Sequence, residues 1–241
     1  MTKLALVTGG TRGIGAAIAT KLKADGYEVV STYIGHPEAA EKFSNETGIK
    51  TYKFDVAYFE SCQKGVEQIE QDTGKSIDIL VNNAGITKDR FLHKMSADEW
   101  NAVINTNLNS VFNMTRNVIE KMRNNKFGRI INISSINGLK GQIGQANYSA
   151  AKAGLIGFSK AVAQENANKG VTVNVIAPGY VGTDMVKKID EKILQGIVSQ
   201  IPVGRLAEPS EIAALTSYLI SDQAGFITGA TFSINGGQYM Q

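Results

Sequence analysis

Tyr148 and Lys152 stand four residues apart in Asn147-Tyr148-Ser149-Ala150-Ala151-Lys152. On a helix, that spacing puts both side chains on one face, a turn apart. A free phenol ionises near pH ~10 and carries protons poorly at neutral pH. A neighbouring ammonium favours the phenolate and lowers that value, so the pair can act as proton donor and acceptor. A Tyr-x-x-x-Lys match alone is more often a half-buried phenol beside a surface ammonium. Ser134 and Ser135 close an apolar run upstream of Tyr148. A hydroxyl there can hydrogen-bond a carbonyl oxygen as charge builds on it, or it can cap a turn. Asn107 sits inside a helical pattern, where asparagine is a poor interior residue. It either binds backbone or water and bends the helix, or faces solvent.

A second cluster is suited to phosphate. Thr8-Gly9-Gly10-Thr11-Arg12-Gly13-Ile14-Gly15 follows the apolar Leu4-Ala5-Leu6-Val7 and leads into Ile14, Ile18 and Leu22, one face of a helix. Strand, glycine turn and helix in that order let a pyrophosphate meet free N–H groups at a helix N-terminus. Three glycines alone make an equally good structural turn. A dinucleotide site selective for NAD ends its second strand in a carboxylate that holds the ribose 2′-hydroxyl. Here Glu28-Val29-Val30-Ser31-Thr32-Tyr33 ends in Tyr33, and Arg12 can pair with a 2′-phosphate. NADP(H) is therefore favoured over NAD(H), although no Lys or Arg directly follows Tyr33.

The elements that must hold these residues read as alternating strands and helices. Strands are predicted over residues 3–7, 28–33, 51–55, 77–82, 129–134, 171–176 and 231–234, together rich in Val and Ile and mostly apolar on both sides. Strands covered on both faces have that pattern. Ser96-Ala97-Asp98-Glu99 is a capping box opening a helix, and Pro37 and Pro209 suit first helical turns. The expected fold is α/β: a doubly wound, parallel, seven-stranded, Rossmann-like sheet in a single domain over residues 1–241. Residues 179–209 carry two helix-like stretches and no strand, and read as a substrate lid over the strand ends.

Composition narrows the class. The chain has 241 residues, 43% of them hydrophobic and 20% charged, with a net charge of +3. That suits one well-buried core and offers no footprint for nucleic acid or an anionic membrane. One cysteine, Cys62, and two distant histidines, His36 and His93, argue against disulfides and a metal site. No apolar run reaches the ~20 residues of a membrane helix. A cytoplasmic protein is expected.

In order and spacing, Thr8–Gly15, Asp55-Val56, Asn82-Asn83-Ala84-Gly85, Asn107, Ser135, Tyr148, Lys152 and Pro178-Gly179 resemble the short-chain dehydrogenase/reductases over essentially the whole chain. The resemblance implies a nicotinamide cofactor held by Gly9, Thr11, Arg12, Gly13, Ile14 and Gly15, with Tyr33 at the ribose end. It places Asp55 and Val56 at the adenine, Asn83, Ala84 and Gly85 along the cofactor, and Pro178, Gly179, Val181 and Thr183 at the carboxamide. It makes Tyr148 the acid–base residue, and Lys152 its activator and a ribose ligand. Ser135 then polarises the carbonyl, and Asn107 anchors a water-linked proton relay. Within the family, the segments around 83–89, 132–148 and 178–186 resemble the acetoacetyl-CoA reductases that make (R)-3-hydroxybutyryl-CoA for polyhydroxybutyrate synthesis. The 3-oxoacyl-[acyl-carrier-protein] reductases come next. Asp89, Lys94, Ser135, Gln142, Gln145 and Tyr180 are the expected substrate contacts, and Arg129 and Lys169 a face for an acidic carrier protein. A homotetramer is implied. The rivals are a non-catalytic NADP-sensing module and a sugar, steroid or xenobiotic alcohol dehydrogenase on the same scaffold.

Overall fold

The computed structural model describes residues 2–183, 186 and 190–240. Seven strands form one sheet: β1 Leu4–Val7, β2 Glu28–Tyr33, β3 Lys50–Lys53, β4 Ile79–Asn82, β5 Gly128–Ile133, β6 Val171–Pro178 and β7 Thr231–Ile234. Their spatial order is β3-β2-β1-β4-β5-β6-β7, and every pairing is parallel. Each of the seven predicted strands is present, with ends displaced by a few residues at most.

The helices are α1 Gly13–Ala24, α2 Pro37–Thr47, α3 Phe59–Thr73, α4 Ala97–Ile104, α5 Ser110–Asn124, α6 Ile136–Lys140, α7 Ala146–Asn166, α8 Glu191–Val198 and α9 Pro209–Ile220. Alternate strand residues feed two cores. Ala5, Val7, Ile79, Val81 and Ile131 pack with Ile18 and Leu22 of α1 and with Ile212 and Leu219 of α9. Leu4, Leu6, Leu80 and Ile130 pack with Ile69 of α3 and with Met114, Val118 and Met122 of α5. Burial on both faces explains why β1, β4, β5 and β6 lack a polar alternation, whereas the edge strands β3 and β7 are only partly buried. A buried amide relay ties β4, β5 and α7 together. Asn82 Nδ2 donates to Asn132 Oδ1 at 2.8 Å, and Asn132 Nδ2 donates to Ser159 Oγ at 2.8 Å.

The predicted capping box is present at Ser96 and Glu99, and Pro37 and Pro209 open α2 and α9. The helix running on from Ala97 is interrupted by a π-helical turn, Asn105–Asn109, between α4 and α5. In the 179–209 stretch, the described residues hold one helix of more than a turn, α8, and an isolated parallel bridge from Val181 to Ala207. Residues 184, 185 and 187–189 of the expected lid lie outside the described residues.

Arg129 is not on a surface. It is 6% exposed, its Nη1 donates to the carbonyl oxygens of Gly128 and Gly170, and its guanidinium lies 4.4 Å from the Phe127 ring centroid. Backbone carbonyls and an aromatic face accommodate a cation that the sequence alone assigns to solvent. Of the pair expected to meet a carrier protein, only Lys169 is exposed.

Candidate active site

Because all strands run the same way, the segments at their carboxyl ends share one rim of the sheet. The direction of winding reverses between β1 and β4, and ligands of such sheets bind outside the carboxyl ends at that switch. The glycine loop, Tyr33, Asp55-Val56, Asn83–Gly85, Ser135 and Pro178-Gly179 all lie at or just past strand ends on this rim.

The loop after β1 turns back tightly. Gly9 and Gly13 have φ of 61° and 56°, in the left-handed region open to glycine. A Cβ on Gly15 would lie 2.4 Å from Gly9 O and 2.5 Å from Asn83 Nδ2, so only hydrogen fits there. No side chain caps α1 and its first turn holds no acid, which leaves its positive end to an anion. Arg12 is exposed beside it, and a Cβ at Gly13 would touch the Thr183 methyl at 3.4 Å.

Thr8 and Asn83 fasten this loop to the next strand end. Thr8 Oγ1 accepts from Asn83 N at 3.0 Å and Ala84 N at 3.1 Å, and Asn83 Nδ2 donates to the carbonyls of Thr8 and Gly9. Tyr33 ends β2, so no carboxylate stands at that strand end. Asp55 Oδ1 accepts from Ala57 N at 2.9 Å, and Val56 O accepts from the buried Asn113 Nδ2 at 3.0 Å. Thr8 as a hub and Asn113 as a brace escaped the sequence reading. Hydroxyl and amide residues inside apolar runs were their only signal.

Tyr148 and Lys152 share a face of α7, as their spacing requires. Lys152 is 4% exposed, and its Nζ donates to Ile133 O at 2.7 Å and lies 5.6 Å from the Tyr148 ring centroid. Ser134 Oγ donates to Lys152 O at 2.8 Å, fixing α7 against the end of β5. Asn107 is 1% exposed in the π turn. Its Nδ2 donates to Ile86 O and Val103 O, both at 2.9 Å, and its Oδ1 accepts from Ile86 N at 3.2 Å. It binds backbone rather than facing solvent. A Cβ on Gly85 would sit 2.4 Å from Asn107 Oδ1 and 3.7 Å from Lys152 Nζ. Gly85 is the point where the asparagine and the lysine converge.

One electrostatic expectation is reversed. Burial, the dominant influence, holds the Tyr148 phenol above its ordinary value; Ser135 pulls it down and the Asp89 carboxylate raises it further. The Lys152 ammonium, itself buried and bonded to a backbone carbonyl, does not outweigh this burial. Burial pushes Lys152 down to about 8. At neutral pH the phenol is thus held in the protonated form, which suits a proton donor.

The expected substrate contacts separate into groups. Asp89 and Gln145 are joined, Gln145 Nε2 donating to Asp89 Oδ2 at 2.8 Å. Gln142 is occupied by Lys140 Nζ at 3.1 Å, and Lys94 is exposed in a short 3-10 turn, Leu92–Lys94. Tyr180 lines a cleft of about 340 Å³ with Ile201, Val203 and Asn235, and Ser135, Tyr148 and Lys152 do not line it.

A family model described as enoyl-(acyl carrier protein) reductase matches residues 9–238. The chain belongs to the short-chain dehydrogenase/reductase family. Among curated members, an acetoacetyl-CoA reductase of Shinella zoogloeoides is 62% identical over 240 residues, covering 99% of both chains. An acetoacetyl-CoA reductase of Rhizobium meliloti is 58% identical over 240 residues, again covering 99% of both. The 3-oxoacyl-[acyl-carrier-protein] reductase of Salmonella typhimurium is 48% identical over 240 residues, covering 99% of this chain and 98% of its own. The dehydrogenase/reductase scaffold is thus matched from the glycine loop to the end of β7. Among the described residues, no group of three or more His, Cys, Asp or Glu is placed to hold a metal, and no helix is long and apolar enough to cross a membrane.

Proposed function

We propose that the protein reduces acetoacetyl-CoA to (R)-3-hydroxybutyryl-CoA with NADPH. The observation that carries this reading is the Tyr148 phenol beside Ser135 and one helical turn from a buried Lys152, on the rim that also holds the glycine loop. The full-length relatives named acetoacetyl-CoA reductase support the substrate. The residues present fit a nicotinamide dinucleotide: an uncapped helix start, a loop too tight for a side chain at Gly15, and amide-braced strand ends. Gly9, Thr11, Arg12, Gly13, Ile14 and Gly15 hold its phosphates. Tyr33, Asp55 and Val56 would line its adenosine half, Asn83, Ala84 and Gly85 would run along the cofactor, and Pro178, Gly179, Val181 and Thr183 would meet its carboxamide. The exposed Arg12 and the absence of a carboxylate at the end of β2 support NADPH over NADH.

When bound, the reduced cofactor supplies the hydride that the C3 carbonyl carbon accepts. Tyr148 gives its phenolic proton to the carbonyl oxygen. Ser135 donates a hydrogen bond to that oxygen as its charge grows. Lys152, a cation one turn along α7, stabilises the phenolate left behind, and Asn107 holds the Ile86 loop and anchors proton return to solvent. Asp89, Lys94, Gln142, Gln145 and Tyr180 border the thioester. Residues 179–209 form a lid, a role supported by an α8 without buried residues and by ends fastened through Val181–Ala207 and Arg205–Glu211. A cytoplasmic homotetramer supplying polyhydroxybutyrate synthesis fits the family and the single buried Cys62.

The 48% identical carrier-protein reductase supports a second reading, a 3-oxoacyl thioester on acyl-carrier protein. NADPH absorbance, followed with acetoacetyl-CoA and with the acetoacetyl-carrier-protein conjugate, decides between them. Catalytic efficiency at least about tenfold higher on the CoA ester is expected; the reverse order overturns the first reading, and no oxidation with either overturns both.

A further inference from the structure

Three side chains form a chain across the mouth of the site. Asp89 Oδ2 accepts from Gln145 Nε2 at 2.8 Å, and Gln145 Oε1 accepts from Asn137 Nδ2 at 2.9 Å. Asn137 occupies the first turn of α6, where its backbone N–H donates to Ser135 Oγ at 3.1 Å. Both ends of the Gln145 amide are therefore engaged by protein. The loop carrying Asp89 is itself clasped. Arg90 N donates to Gly144 O at 2.7 Å, and Asn147 Nδ2 donates to Lys88 O at 3.1 Å.

The Asn137 amide is only half satisfied. Its Oδ1 is buried without a partner, whereas an apolar side chain in the same space would carry no such penalty. Local folding does not account for an amide at this position; its one side-chain bond serves to join Gln145 to the turn that carries Ser135. The helix beneath leaves little slack, since a Cβ on Gly138 would lie 2.7 Å from the Lys152 backbone carbon. An N–H bond accepted by Ser135 Oγ fills one lone pair and directs the hydroxyl proton outward as a donor.

We propose that Asn137 is a positioning residue: tethered through Gln145 to Asp89, it holds the first turn of α6 where the Ser135 hydroxyl is presented to the reacting carbonyl. This rests on the reductase reading above. It assigns Gln145 and Asp89 to the support of that hydroxyl as well as to the border of the thioester.

The test compares Asn137→Leu, Ser135→Ala and the double variant, with Gln145→Leu as a second way to break the chain should Asn137→Leu fail to fold. In the wild-type background, Asn137→Leu is expected to lose about tenfold in kcat with the KM for NADPH unchanged. In the Ser135→Ala background, it is expected to lose nothing further. A second readout needs no turnover. The Tyr148 phenol, followed by ultraviolet difference titration against Tyr148→Phe, should titrate at higher pH in Asn137→Leu, as in Ser135→Ala, and no higher in the double variant. An equal kcat loss in both backgrounds, or an unmoved titration, overturns the proposal. A wild-type protein inactive on both thioesters overturns the functional reading instead, and the titration alone then decides the role of Asn137.

Discussion

Lys152 Nζ donates to the main-chain carbonyl of Ile133 at 2.7 Å, so the cation of the site is anchored to the end of β5 rather than to the tyrosine it serves. Burial holds its amine down to about 8 from an ordinary 10.5. Between those values the unfolded chain binds more protons than the folded one, so this group makes stability rise with pH across that window. Below it, the folded protein carries the full cost of a buried ammonium. Lys152→Met should therefore gain melting temperature relative to wild type at pH 7, and the advantage should shrink as pH rises toward the ordinary lysine value. Calorimetry across that range checks the sign. The same variant should lose at least about a hundredfold in kcat, and wild-type reduction should begin to fall as the amine loses its proton near pH 8.

Tyr148→Phe removes the hydroxyl and keeps the ring. Turnover should drop by at least about a hundredfold while NADPH still binds, as read by its fluorescence. Near-normal turnover would remove Tyr148 from the mechanism.

Gly15→Ala places a carbon where 2.4 Å separates it from Gly9 O. The backbone must shift, and the loop loses its shape. Titration calorimetry should show dinucleotide affinity reduced by about tenfold or more, with the far-ultraviolet dichroism of the fold retained.

Asn132→Leu cuts the relay between Asn82 and Ser159 and leaves the buried Asn82 Nδ2 with its long 3.5 Å bond to Thr115 Oγ1. The expected cost is about 2 kcal/mol, read as a melting temperature lower by several degrees.

Cys62 is fully buried, and burial pushes its thiol up to about 12. A thiol reagent should leave the native protein untouched at mildly alkaline pH and modify one site after denaturation. Rapid native labelling would contradict this.

The centre of the sheet was legible because strands buried on both faces, such as β4, β5 and β6, write themselves as apolar runs rich in Val and Ile. The Tyr148 and Lys152 pair was legible because helical spacing is local. Other features have no local signature. The Asp89–Gln145 contact spans 56 residues of sequence. Arg129 reads as a surface cation because, although Phe127 and Gly128 adjoin it in sequence, its second carbonyl, Gly170 O, is brought to it by folding. The reversed shift at Tyr148 has the same origin: spacing reports the nearby ammonium, but the dominant influence is how deeply both groups are buried.

The π turn at Asn105–Asn109 also sets the phase of the helix that contains it. One extra residue in a turn rotates the downstream helix by about 100° relative to an unbroken α-helix. Val103 before it and Val111, Met114 and Val118 after it are all buried, while the Asn107 amide turns sideways to the Ile86 main chain. Deleting one residue there would force a choice. Either the amide would abandon Ile86, or the stripe from Val111 to Met122 would swing off the sheet. The irregularity lets a single rod seal a core and reach a reaction site in different directions.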